Sequence, residues 1–185
     1  MATTAGHFTD APVFIYDKNN KLVTQTAITG HNTKEMYIEV SEGLEKIEPR
    51  TRLQLLIIHA NGASEVSGIL KESTRPGVYE ILIYDEHSRD LRVSVRRTIN
   101  TSAVISDMVV DSNAKELTAP LPVIIENMST TGILIKSSGL RIELGALLQI
   151  ELNVEKKIGI LYCEVLREKK HPGNEYSYGC QLYFF

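Results

Sequence analysis

Very little in this chain announces covalent chemistry. Its 185 residues include only two cysteines, Cys163 and Cys180, too few for a disulfide framework, and they read as reduced core thiols on neighbouring antiparallel strands. The five histidines, at positions 7, 31, 59, 87 and 171, are scattered, and no pair shows metal-ligand spacing; neither a metal nor another cofactor is expected. A Gly-x-Ser-x-Gly elbow is missing, as are a phosphate-cradling glycine loop with its lysine and any paired carboxylates set apart from solvated strands, so an enzyme is not expected. No uninterrupted apolar run approaches the ~18 residues of a membrane span. The opening Met1-Ala-Thr-Thr-Ala-Gly-His-Phe8 lacks the basic start and apolar core of a secretory signal, and a cytoplasmic location is the expectation. Bulk positive charge is lacking too: the formal net charge is -3, which argues against a broad, sequence-independent grip on DNA or RNA.

What the chain does have is short strands. Helical periodicity is nearly absent, with at most a turn or two over Ser41–Ile47 and over Ser112–Leu117. Runs rich in Val, Ile, Tyr and Thr recur instead, separated by turn chemistry. In the first half these runs are Val13–Tyr16, Leu22–Ile28, Leu53–Ile58, Ser67–Lys71 and Val78–Tyr84, with turns at Lys18–Lys21, Asn61-Gly62 and Arg75–Gly77. In the second half Thr98–Ile105, Leu121–Ile125, Gly132–Lys136, Leu147–Val154, Ile158–Arg167 and Tyr176–Phe184 give about six strands, enough for a closed barrel without exposed edges. The expected fold is all-β: two small antiparallel barrels in tandem, over residues 1–91 and 92–185. The closing Leu182-Tyr-Phe-Phe185 either plugs the second barrel or meets a partner.

Two local clusters stand out. Arg92-Val-Ser-Val-Arg96-Arg97 falls at the expected domain boundary, with no acidic residue from there to Asp107. Arginine presents a planar fork of donors that matches phosphate and can read the O6/N7 edge of guanine. About thirty residues on, Glu126-Asn127-Met128-Ser129-Thr130-Thr131-Gly132 interrupts two apolar runs. Asn127 can pair with a base edge, Ser129 can donate to a phosphate or ring nitrogen, and Gly132 lets a ligand approach the backbone. The plainer alternatives are a solvated linker for the arginines and a self-capping turn for Asn127 and Ser129.

Taken together, the clusters resemble the PilZ domain, whose signature is RxxxR followed by (D/N)xSxxG. The resemblance spans roughly residues 92–185 and extends to Gly145 ahead of Leu147-Leu-Gln-Ile-Glu-Leu152, to Cys163-Glu-Val-Leu-Arg167 and to Tyr178-Gly-Cys-Gln-Leu182. The preceding β domain is similar in layout to that of flagellar-brake proteins. The resemblance implies a six-stranded barrel that binds cyclic di-GMP. Arg92, Arg96 and Arg97 would hold phosphates and guanines from the connector, Asn127, Ser129 and Gly132 would meet the ligand from the barrel, and the bound nucleotide would lock connector to barrel as a switch.

The match departs from the family at one position. Relatives usually read RR, three residues, then Arg, whereas Arg96-Arg97-Thr-Ile-Asn is followed here by Thr101. Arg92-x-x-x-Arg96 satisfies the spacing in another register, and the sequence does not choose between the two. Two functions follow. One is a cyclic di-GMP receptor that signals through an unidentified protein partner in flagellar or surface machinery; the other is a degenerate adaptor that has lost the nucleotide and works through protein contacts alone.

Overall fold

The computed structural model describes residues 8–39, 43–59, 62–71, 77–85, 95–110, 113–114, 117, 119–154 and 157–183. Arg92, the turn residues Asn61, Arg75 and Pro76, and the terminal Phe184 and Phe185 lie outside them. Among the described residues the fold is all-β. Its helical content is a single 3-10 turn, Leu44–Lys46, inside the stretch where a brief helical turn is expected. No helix is long and apolar enough to cross a membrane. The chain splits into two compact units, the first carrying mainly β1–β6 and the second mainly β7–β13.

The first unit is a closed barrel of β1 (Pro12–Tyr16), β2 (Leu22–His31), β3 (Glu35–Glu39), β4 (Arg52–His59), β5 (Gly62–Leu70) and β6 (Val78–Asp85), in the order β1-β2-β3-β6-β5-β4. Its interior is filled by Val13, Ile15, Ile28, Met36, Ile38, Leu55, Ile57 and Ile81. These are mostly β-branched or γ-branched side chains, which pack well on a pleated surface. β3 is the strand that the sequence does not announce: Glu35-Met-Tyr-Ile-Glu39 is bounded by glutamates, and its buried residues are only Met36 and Ile38. Its edges are held by charge. Lys71 Nζ lies 2.6 Å from Glu35 Oε1 and 2.9 Å from Glu80 Oε2, and Tyr37 donates its hydroxyl to Glu35 at 2.9 Å.

The second unit contains β7 (Arg97–Val110), β8 (Asn113–Ala114), β9 (Leu121–Met128), β10 (Gly132–Ser138), β11 (Leu147–Val154), β12 (Lys157–His171) and β13 (Glu175–Tyr183). The order β11-β12-β13-β10-β9-β7, with β7 pairing back onto β11, closes a ring of antiparallel strands, and β8 hangs from β7. Asn113–Ala114 is therefore strand where a helical turn is expected, because it pairs with Val109 and Val110. Alternation places Ile99, Ala103, Ile105, Ile125, Ile135, Ile150 and Leu152 in the core. β12 returns into β13 through Pro172-Gly173-Asn174, where Gly173 (φ 78°) and Asn174 (φ 62°) take the left-handed conformation that such a tight reversal requires.

The two thiols are buried on β12 and β13. Cys163 faces Leu182 and Cys180 faces Val165, so they are diagonal neighbours, and the Cys163 proton is held by the hydrogen bond with Cys180 and by burial, which push its pKa up. Tyr183 lies on the outside of the ring, more than a third exposed, with its hydroxyl on Glu164.

Candidate functional site

The two clusters come together through strand pairing within the second unit. β7 runs antiparallel to β9, so that Arg97 sits opposite Met128 and Thr98 opposite Asn127. The start of β7 is thereby placed against the end of β9, next to the turn that leads into β10.

Which side chains face outward is decided by two irregularities. On β7 the register slips between Thr98 and Thr101, leaving Ile99 and Asn100 opposite a single residue of β9; Asn100 absorbs the bulge with φ 46°, a value asparagine tolerates better than most residues. On β9, Ile125 pairs with Ile135 and Asn127 with Leu134, so that Glu126 is skipped. Strict alternation counted from the buried Ile125 would turn Asn127 into the core. With Glu126 as an extra residue, Asn127 faces outward and is half-buried, while Met128 is fully buried.

The arginines separate in the same way. Arg96 is exposed, ahead of the strand and two residues from the outward Thr98. Arg97 is on the core side, 5% exposed, and is already engaged within the chain. Thr101, the position where the PilZ signature carries a further arginine, also faces inward: it is 5% exposed, opposite the fully buried Ile125, and its hydroxyl donates to the Ile99 carbonyl at 3.4 Å. The register Arg97-x-x-x-Thr101 thus lies on the core face, whereas Arg96 shares the outer face with Thr98 and Asn127.

Ser129 and Gly132 shape the turn. The Ser129 amide donates to the Gly132 carbonyl at 2.9 Å, and its hydroxyl donates to the same oxygen at 3.2 Å while accepting from the amides of Gly132 (3.2 Å) and Thr131 (3.4 Å). With Ser129 only 4% exposed, this hydroxyl is committed to its own backbone. The loop is pinned from the other side by Leu182, whose amide donates to the Thr131 carbonyl at 3.0 Å. Gly132 is required by packing: a Cβ there would sit 2.8 Å from the Cys180 carbonyl oxygen on β13. Ser129→Ala should therefore lower the stability of this unit by about 1–2 kcal/mol, with a fall in melting temperature of roughly 4–8 °C per kcal/mol for a domain of this size. A thermal melt at the parental midpoint would show that the hydroxyl is dispensable.

Further along the same outer face, a groove of about 540 Å³ is lined by Ser102, Val104, Pro122, Ile124, Lys136 and Glu151, among others. It borders two carboxylates, Glu151 and Glu175. Its lysine is already paired, Lys136 Nζ to Glu175 at 2.8 Å, a contact that raises the lysine pKa and lowers that of the glutamate. An anion is better placed at the Arg96–Asn127 end, where the outward cation and amide have no side-chain partner among the described residues. No group of three or more His, Cys, Asp or Glu side chains among the described residues could hold a metal ion.

Comparison with known proteins gives a divided picture. No protein-family model matches the chain, and no curated protein matches it. Solved structures do: MrkH of K. pneumonia in complex with c-di-GMP is 15% identical over 95% of this chain and 80% of its own, with a TM-score of 0.38. The Bacillus subtilis inhibitor of motility MotI/DgrA is 12% identical over 98% of this chain and 89% of its own, with a TM-score of 0.37. YcgR of Escherichia coli in complex with c-di-GMP is 9% identical over 94% and 76%, with a TM-score of 0.36.

The sequence reading names Arg96 and Asn127 without separating them from their inward or turn-bound neighbours, and it misses Thr98. The signal that identifies Thr98 is hairpin arithmetic: once Asn127 is known to face outward, its partner across the ladder must do so as well.

Proposed function

We propose that the second barrel is a receptor for cyclic di-GMP and that the chain passes the signal on through contacts with a protein partner. The observation that carries this reading is the convergence of Arg96, Thr98 and Asn127 on one outer face, beside a turn built by Ser129 and Gly132. Arg96 supplies a charge-assisted contact to a phosphate or to the guanine O6/N7 edge, and Asn127 supplies the amide that a base edge can pair with. In this reading the working arginine register is Arg92-x-x-x-Arg96. Ser129 and Gly132 act indirectly, by fixing the backbone that carries Asn127. Arg97 sets the entry of the chain into β7.

Titration calorimetry with purified protein tests it. Binding of cyclic di-GMP is expected, and it should weaken as salt rises, because a guanidinium–phosphate contact at an exposed site is screened. An absence of heat at several hundred micromolar ligand would end the receptor reading and leave the adaptor. The adaptor has one observation in its favour, that Arg97 and the Ser129 hydroxyl are both committed within the protein.

A further inference from the structure

We infer that Arg167 is a second cationic contact of the same ligand, reaching the site from the opposite flank across a glycine gap at Gly179; this rests on the cyclic di-GMP reading above. Arg167 on β12 pairs with Gly179 on β13, Gly179 pairs with Leu134 on β10, Leu134 with Asn127 on β9, and Asn127 with Thr98 on β7. These residues form one continuous row across the ring. Its members lie on the outer face: Thr98 and Arg167 are exposed, Asn127 and Leu134 half-buried and Gly179 buried beneath the Arg167 stem, whereas the side chains of Met128, Ile133, Ile135, Tyr178 and Cys180 are buried on the core side.

Gly179 is what connects Arg167 to the row. A side chain at position 179 would point outward, and a Cβ there would stand 2.2 Å from Arg167 Nε, 2.7 Å from its Cγ and 3.0 Å from its Cδ. The arginine stem thus crosses β13 where only glycine leaves room. With Nε, Cγ and Cδ all within 3.0 Å of that point, the stem lies over Gly179, whose partner on its other side is Leu134. Adjacent strands are about 4.8 Å apart, so the stem over Gly179 stands roughly two strand spacings from Asn127.

A surface arginine is more often neutralised by a neighbouring carboxylate, but here the adjacent acid is taken. Glu168 accepts from Arg141 Nε at 3.0 and 3.2 Å, and the Arg167 guanidinium has no ion pair among the described residues. Between the two flanks the half-buried Leu134 offers an apolar shelf. Arg96 from the β7 side and Arg167 from the β12 side therefore bracket a surface on which a flat dianionic nucleotide is held at two separated charges, with its base against the shelf.

The test is calorimetric titration of cyclic di-GMP into the parent protein, Arg167→Gln and Gly179→Ala, with thermal melts of each. Arg167→Gln should melt like the parent, since the side chain is exposed, and should bind about tenfold or more weakly with a shallower salt dependence. Gly179→Ala should weaken binding as well, although the arginine is still present, because the added methyl displaces its stem. Parental affinity in Arg167→Gln overturns the inference whatever Gly179→Ala does. If the parent itself binds no cyclic di-GMP, the receptor reading falls and this contact falls with it; if the parent binds and Arg167→Gln binds equally, only this contact falls.

Discussion

Arg96→Ala should lose about 10- to 150-fold in affinity for cyclic di-GMP while melting at the parental temperature. The range follows from the ~1.5–3 kcal/mol that a charge-assisted hydrogen bond typically contributes. The unchanged melt follows from exposure: Arg96 precedes β7 and faces solvent, so its removal leaves no cavity and orphans no buried group. Arg97→Ala is the informative contrast. That side chain is 5% exposed opposite Met128 and engaged within the chain, and its loss should lower the melting temperature first, with any effect on binding arriving through the start of β7. Calorimetry and thermal melts on the two variants check this together. Parental affinity in Arg96→Ala, with the loss confined to Arg97→Ala, would assign ligand contact to the wrong arginine and return the motif to the Arg97-x-x-x-Thr101 register.

That two adjacent arginines face opposite ways, Arg96 exposed and Arg97 buried, shows where residue type and spacing stop deciding the matter. The barrel itself was legible because its information is local. Period-two runs such as Leu147–Val154 and turn residues such as Gly173-Asn174 state strand and reversal directly: β11 coincides with the expected Leu147–Val154, while β7, β9, β10 and β12 run past the expected C-terminal ends. β3 was not legible because a five-residue strand ending in glutamates has only two buried residues, too few to establish a period-two run, and it is held by pairing with the neighbouring β2 and with β6, which lies far along the chain. Asn113–Ala114 failed for a related reason: two residues carry no periodicity, and only their partners on β7 make them strand.

The placement of the candidate residues was half legible. Residue types and spacing pointed to Arg92, Arg96, Arg97, Asn127, Ser129 and Gly132 together; Arg92 lies outside the described residues, and the fold brings the other five to one end of one barrel. Facing is another matter, since it depends on the extra residue at Glu126 and on the slip at Ile99–Asn100. A one-residue bulge exchanges inside for outside, yet nothing in Ile124-Ile-Glu-Asn127 marks which residue will be skipped. Ser129 illustrates the converse: both a ligand-facing and a self-capping hydroxyl fit the same sequence, and the geometry places this one on its own turn.

The position of Thr101 leads to the second large effect. Thr101→Arg should destabilise the second unit by at least about 3 kcal/mol, because it forces an unpaired guanidinium and extra volume into a packed interior. Thr101 lies between Ile99 and Ala103 on the inward face, opposite the fully buried Ile125, and a one-residue slip of the strand, which would turn it outward, would carry Ile99, Ala103 and Ile105 out of the core with it and break the pairing of Ala103 and Ile105 with β9 and β11. On the degenerate reading the same substitution should have the opposite outcome, restoring a missing cation and creating or tightening nucleotide binding. Chemical denaturation and calorimetry on one variant therefore separate the two. A Thr101→Arg protein that is folded, melts at the parental temperature and binds cyclic di-GMP more tightly would mean that position 101 is an outward ligand contact after all. A destabilised one would mean that position 101, where the PilZ signature carries arginine, is a core position in this chain, and that on the receptor reading the charge for the nucleotide comes from Arg96 and the outer face.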